Sequence, residues 1–509
     1  MKSFFADSKW FIFAALNLSF CAVLLAGAAA GGGSLAKLPY VVLLFALCTS
    51  PIPFIERPNG PFAMLGVTLG IYFVTLGLSD AVSMFAPPTS PDRESLLSAG
   101  EMVILVGISM LILGFHLAAS LAKPKAQEGA PKDWPRSTLL VAGLLLWSAG
   151  CAAELYRSLV VVSDNSNAAT LAGFANLGIW LTSVLILVQV YAAPLGVIIL
   201  AYWWVVTGRR SGTVLVVLVV LCQFVVGWVV DTKSVALGAP FIILLTRFFV
   251  LGRVPLRWVM LAVVGVALVF PVLTTKRAIM GEEHLTRMQA LPRTAEILWR
   301  AIEQRDAYRN VNRYGDATST FLERITVKSS VEIFAEYIGK THPYRMGSTL
   351  EPLLYVFVPR VLWSDKPTDS APQSFNREFH ISANPDTYIS PTHMGEMYWN
   401  FGYPGIIIGM ALLGALLGYV NVRFDPSART SITRVLVIMV TIYELIAHGE
   451  GSIGNEYVVW VRTVLLIGIF HLIFARPVAR QIVERDAKTG TGVEEHDSAP
   501  LALFPNLLR

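Results

Sequence analysis

His393 and Glu396 lie three residues apart in the run Thr392-His-Met-Gly-Glu-Met-Tyr-Trp-Asn400. On a helix that spacing puts both side chains on one face, where an imidazole or a carboxylate can take the proton from a single reacting hydroxyl. The same residues also suit a structural use, with Glu396 capping nearby backbone while Tyr398 and Trp399 form an interfacial aromatic belt. The wider segment 275–400 holds eleven Arg and four Lys against fifteen Asp and Glu. Its charge is near balance, but its cations are mostly Arg, whose planar fork of donors fits phosphate oxygens and keeps its charge at any working pH. Arg277 stands within a few residues of the end of the hydrophobic run 257–274, at the depth of a lipid phosphate. It either binds such a phosphate or snorkels as an anchor. In Val356-Phe-Val-Pro-Arg360-Val-Leu-Trp-Ser-Asp-Lys366-Pro367 two cations sit among hydrophobic residues and prolines, which favours an ordered loop or short re-entrant segment at the membrane surface.

Other charges divide between structure and function. Arg293, Arg300, Arg305, Arg309 and Arg313 surround a helical apolar stripe at Ile297, Leu298, Ala301 and Ile302, so the spacing predicts an amphipathic surface helix over Thr294–Asp306. Glu444, His448, Glu450 and Glu456 mark the same ends of the last two hydrophobic runs, and Arg462 lies about six residues into the final one. An ionisable residue inside a membrane is a functional candidate by default, and pairing with Glu444 or Glu456 is the structural alternative for Arg462.

The elements that must position these groups are membrane helices. The chain has 509 residues, 54% hydrophobic and 15% charged, against about 25% charged in a soluble domain. Apolar runs of about 20 residues, enough to cross roughly 30 Å of hydrocarbon, predict twelve spans. They lie near 10–30, 38–54, 62–86, 98–122, 137–157, 185–207, 213–230, 235–251, 257–274, 402–421, 431–448 and 457–475. The apolar stretch 168–206, with Pro194 inside it, is read as one long or broken helix rather than two spans. Basic residues fall in alternate loops: Lys123–Arg136, Arg209–Arg210, Arg253 and Arg257, Arg423–Arg434, and the tail with Arg476, Arg480 and Arg485. The positive-inside rule puts these in the cytoplasm. Both termini are then cytoplasmic and the segment 275–400 external. The chain divides into nine spans over 1–274, the external segment 275–400 with amphipathic helices, three spans over 401–475, and a polar tail over 476–509 that reads as disordered. The net charge of +5 belongs to the cytoplasmic loops and implies no nucleic-acid partner. Cys21, Cys48, Cys151 and Cys222 lie within apolar runs without paired spacing, so neither a disulfide framework nor a zinc site is expected.

This layout, the VPRVLWSDKP element and the sequence GEMYWNFGYPGIIIGMALLGALLGY together resemble the Wzy-type polymerases of bacterial surface polysaccharides. The layout is also similar to that of the O-antigen ligases. The resemblance implies an all-α, GT-C-like membrane fold in the bacterial inner membrane with its large loop in the periplasm. It further implies a metal-independent, inverting glycosyltransferase without a cofactor, acting on undecaprenyl-pyrophosphate-linked oligosaccharides, with a separate chain-length regulator as an expected partner. On the same basis Arg277, Arg345, Arg360 and Lys366 would hold the pyrophosphate and Glu396 or His393 would act as base. His342 and Tyr344 would touch sugars, and Tyr398, His448 and Arg462 would give supporting contacts. A ligase with another acceptor, and a polysaccharide transporter or flippase, are the competing expectations.

Overall fold

The computed structural model describes residues 2–31, 34–54, 62–85, 97–122, 132–161, 167–283, 285–303, 328–355, 358, 363, 371–382, 387–425, 431–447 and 451–477. Ten helices precede the large hydrophilic segment: α1 (Lys2–Gly31), α2 (Leu38–Thr49), α3 (Ala63–Leu76), α4 (Leu78–Ser83), α5 (Ala99–Leu121), α6 (Arg136–Tyr156), α7 (Asn167–Thr207), α8 (Arg210–Val230), α9 (Lys233–Leu251) and α10 (Leu256–Glu282). Within that segment lie α11 (Arg287–Ala290), α12 (Thr294–Glu303), α13 (Lys328–Tyr337) and α14 (Ala371–Phe379). Three more complete the bundle: α15 (His393–Arg423), α16 (Ile432–Ile442) and α17 (Ile453–Phe474). Among the described residues nine helices are long and apolar enough to cross a membrane. The architecture is that of an all-α polytopic membrane protein.

Three predicted spans take a different form. The run 38–54 is the twelve-residue α2 and a short 3₁₀ turn, stopped by Pro51 and Pro53. The run 62–86 breaks at Gly77 into α3 and α4. The last is the eleven-residue α16, prolonged by a π-helical turn over Tyr443–Ala447. By contrast 167–207 is one continuous helix of 41 residues with Pro194 inside it, about 60 Å long and twice the hydrocarbon thickness.

The central contact is α5 against α15. A Cβ on Gly114 would lie 2.0 Å from the Ala411 carbonyl oxygen, and one on Gly414 2.0 Å from that of Leu111. Small residues here let two backbones meet directly, the usual route to tight packing where lipid removes the hydrophobic drive between helices. Gly402, at φ 63° and ψ −146°, bends α15 and separates its first turns from its transmembrane part.

The hydrophilic segment is fastened at two places. Phe334 of α13 lies 4.4 Å ring to ring from Phe375 of α14 and 5.1 Å from Trp399 of α15. Beside this aromatic cluster, the buried Lys328 ammonium meets Asp80 at 2.6 Å and Glu101 at 2.7 Å, with the Tyr40 ring centroid at 4.2 Å. Lys37 reaches the same Glu101 oxygen at 2.8 Å. Burial works against the Lys328 charge, but Asp80, Glu332 and the bonds to Asp80 and Glu101 outweigh it and raise its pKa above the ordinary 10.5.

Strand pairing among the described residues is confined to one isolated bridge and a two-residue antiparallel pair, β1 (Lys132–Asp133) with β2 (Arg476–Pro477). Asp133 also accepts from the Ile432 amide at 3.2 Å and the Tyr202 hydroxyl at 3.0 Å. Ends of α6, α7, α16 and α17 that the charge pattern assigns to one side therefore meet. The bonds of Lys328 to Asp80 and Glu101, and of Glu101 to Lys37, likewise join segments assigned to the opposite side.

Candidate functional site

At the end of the bundle away from β1 and β2, four cations from three parts of the chain converge. Asp231, the left-handed residue that closes α8 (φ 58°, ψ 41°), is their hub; Asp is among the few non-glycine types that enter this region readily. Its carboxylate accepts from Arg277 Nε at 2.9 Å, and its carbonyl accepts from the same guanidinium at 2.6 Å. The Lys276 ammonium, buried, stands 3.8 Å from Asp231, donates to the Trp228 carbonyl and lies 4.9 Å from the Trp228 ring centroid. Arg157 begins a π-helical turn, Arg157–Val161, at the end of α6 and pairs with Glu154 at 3.1 Å. Its Nε is buried without a hydrogen-bond partner.

The fourth cation is Arg287, at the start of α11, which packs against that π-helical turn. A capping box between Thr286 and Gln289 fixes α11. Arg287 lies within the fields of Asp231, Arg157, Glu154 and Arg277. Three guanidiniums and the Lys276 ammonium thus face two carboxylates. Such an excess on guanidinium forks suits a doubly charged phosphate ligand.

Beneath it a cavity of about 260 Å³ enters the bundle between α6, α7, α8, α9 and the turn after α16. Glu154 and Arg157 stand on its wall with Thr232 and Ser234, and Gln223 and Glu444 make it polar deep between the helices. Gln223 is held as an acceptor by Trp147 Nε1 at 2.9 Å and by the Cys151 thiol at 3.4 Å. The two π-helical turns described, Arg157–Val161 and Tyr443–Ala447, each contribute to this wall or adjoin it; such turns recur at functional sites because they re-aim side chains out of helical register.

The residues singled out from sequence distribute unevenly around this site. Arg277 is in it. Arg345 has another support: it pairs with Glu378, stacks 5.0 Å over Trp399 and donates its amide to the Trp399 carbonyl at 3.0 Å. Arg360, Lys366 and His448 lie outside the described residues, as do Arg305, Arg309 and Arg313. Arg293 and Arg300 bind Glu283 and Glu296 on α12, the arrangement expected of a surface helix. These ion pairs hold both carboxyls below their ordinary range.

His393 and Glu396 share a face as their spacing predicts, but it is a packed one. Glu396 is 0% exposed, and its carboxylate accepts the Ile453 amide at 2.7 Å, tying α15 to the first turn of α17. His393 is 1% exposed beside Tyr457, with neither ring nitrogen hydrogen-bonded to protein. Asn400 completes this node, accepting from the Gly347 amide and donating to Thr349 and to the Glu396 carbonyl. His342 stacks on Phe379 at 4.7 Å. Tyr344 lies over Gly339 and Gly402, Tyr398 is buried edge-on to Tyr403, and Arg462 hydrogen-bonds Tyr191.

Sequence reasoning missed Glu154, Arg157, Asp231, Lys276 and Arg287 as a group. The available signal was the shared level of four of them: Glu154, Arg157, Asp231 and Lys276 lie within a few residues of the same predicted ends of spans five, seven and nine, whereas Arg287 lies thirteen residues beyond span nine. No protein-family model, curated protein or solved structure matches this chain.

Proposed function

We propose that the protein is a glycosyltransferase that moves a growing glycan from undecaprenyl pyrophosphate to a lipid-linked repeat unit, with inversion. In this reading the bundle has twelve spans in a GT-C-like layout in the bacterial inner membrane, with both termini cytoplasmic and residues 275–400 periplasmic. The observation that carries it is the cluster of Arg157, Lys276, Arg277 and Arg287 at one face of the bundle, with Arg157 also on the wall of a polar cavity. In the reaction the bond from the anomeric carbon to the diphosphate oxygen breaks as an acceptor hydroxyl attacks from the opposite side. The negative charge that grows on the leaving diphosphate is stabilised by preorganised cations, and the hydroxyl proton passes to a carboxylate. Glu444, on the cavity wall, is the carboxylate assigned to that proton, ahead of the packed Glu396 and His393.

A polar cavity within the bundle also favours a second reading, a lipid-linked oligosaccharide transporter, because transport needs a path between helices. Reconstitution of the protein with a lipid-pyrophosphate-linked repeat unit in the presence of EDTA separates the two. A ladder of products on a gel, lost in Arg157→Gln and Arg277→Gln, supports the polymerase. Transfer of the glycan to a different acceptor supports the ligase alternative. Movement of intact substrate across vesicles without new glycosidic bonds supports the transporter.

A further inference from the structure

The opposite half of α8, α9 and α10 carries a second concavity that the reaction above does not use. It is an apolar groove of about 400 Å³. On α8 it runs from Thr213 to Phe224, on α9 from Ala236 to Arg247 and on α10 from Trp258 to Val269, twelve positions and eleven steps on each helix. At 1.5 Å per residue that is about 16 Å, close to one leaflet of a roughly 30 Å hydrocarbon core. The window of α10 is only 6% buried within the protein, so this side of the bundle is left to lipid. A Cβ added at Gly265 would meet no protein atom within 4 Å, so the glycine faces open space.

One end of the groove is cationic. Arg247 lies on its wall with its guanidinium 5.3 Å over the Trp204 ring, and its Nε is buried without a hydrogen-bond partner. The charges that act on Arg247 are those of Arg253 and Arg257, both positive, in the turn and first residues after α9. Trp204 and Trp258 pack edge to face at 6.4 Å beside it, the kind of aromatic pair that marks a membrane–water interface. A guanidinium with an unmet donor, two further cations and an apolar slot one leaflet deep define an amphiphile with a negative head and a short tail. A long polyprenyl chain would overrun the slot.

We infer that the groove between α8, α9 and α10 binds an anionic phospholipid of the leaflet at the Arg253–Arg257 end, its phosphate on Arg247 and one acyl chain along Gly265. Binding depends on this lipid's head and tail and is independent of the glycosyl-transfer reading. The test uses the purified full-length protein and native mass spectrometry, with palmitoyl-oleoyl phosphatidylglycerol and the phosphatidylcholine of the same chains as probes. The wild type should retain the glycerol lipid at least about 5-fold over the choline lipid. Arg247→Gln should bring that preference down to about 2-fold or less, a loss of affinity short of the factor of ten that 1.4 kcal/mol represents. Gly265→Leu fills the slot without meeting protein and should remove both lipids, whereas Arg423→Gln, at the end of α15 and outside the groove lining, should change neither. Equal retention of the two lipids by the wild type, or full retention by Gly265→Leu, overturns the site even if Arg247→Gln does not fold. Loss in Arg423→Gln in place of Arg247→Gln would assign the head group to a cation outside the groove and overturn it as well.

Discussion

Arg277 grips Asp231 twice, by its side chain at 2.9 Å and by its backbone carbonyl at 2.6 Å. One guanidinium therefore fixes both the end of α8 and the direction of its own remaining donors. A lysine cannot reproduce that fork. Arg277→Lys should fold normally and lower polymerisation about 10- to 100-fold, as a charge-assisted contact worth about 1.5–3 kcal/mol is lost, read from product ladders against protein amount.

Asp231→Asn takes one negative charge from beneath Lys276 and Arg277. Lys276 is buried, with a side chain 3% exposed, so its charge would lose its nearest counter-ion. The expected outcome is a fall in thermal midpoint in detergent, corresponding to about 3–5 kcal/mol for a broken buried pair. An excess of phosphate-bearing lipid should restore part of that loss, because ligand binding to the folded form adds stability by mass action. A variant as stable as wild type would mean that the cluster is not held through Asp231.

The two candidate bases separate by isosteric replacement. Glu396 serves the Ile453 amide as an acceptor, a role that Gln fills, so Glu396→Gln should keep both stability and activity. Glu396→Ala leaves that buried amide unsatisfied and should cost about 1–3 kcal/mol. Glu444→Gln should keep the fold and remove most of the turnover, with substrate binding nearly unchanged. Activity lost in Glu396→Gln with the fold intact would return the base role to α15.

Lys328→Met would take the shared cation from Asp80 and Glu101 and leave Glu101 with Lys37. A loss of about 3–5 kcal/mol is expected, seen as early unfolding together with protease sensitivity of the hydrophilic segment. The raised Lys328 pKa sets the sign of the pH effect. The folded state holds the proton more tightly than the unfolded chain, so its stabilisation is complete below the ordinary value of 10.5 and disappears as pH rises through the folded value. Thermal midpoints should therefore show no Lys328-dependent change between neutral pH and about pH 9, then fall faster for wild type than for Lys328→Met.

Gly114→Leu probes the fold alone. With only 2.0 Å between a new Cβ and the Ala411 carbonyl, α5 and α15 must part, at a cost of at least about 1–3 kcal/mol. Loss of monodisperse protein on size exclusion is the expected reading.

The membrane character of the bundle was legible because hydrophobic length and alternating basic loops are local signals. The resolution of 168–206 into one helix was legible for the same reason, since two spans there would have inverted every later loop. The division of 62–86 at Gly77 was less so, because α3 and α4 share one uninterrupted apolar run. For the site, Arg277 stood out by its depth alone. Arg157, Asp231 and Arg287 did not, because each is an ordinary helix-end charge whose meaning arises from its neighbours across the bundle. His393 and Glu396 illustrate the converse: a pair on one helical face carries no mark of whether that face meets substrate or another helix. Here Glu396 meets the amide that opens α17.

The short pair of β1 and β2, with Asp133 bonded to Ile432 and Tyr202, knots four helices together at one end. The cavity lies toward the other end of the same sheaf. Under the proposed function, a bulky amphiphile that enters would spread the stems at the cavity end, with the knot as pivot. The cavity wall at that end carries Arg157 beside Glu154, so under the proposed function admission of the ligand and alignment of its charge would become a single motion.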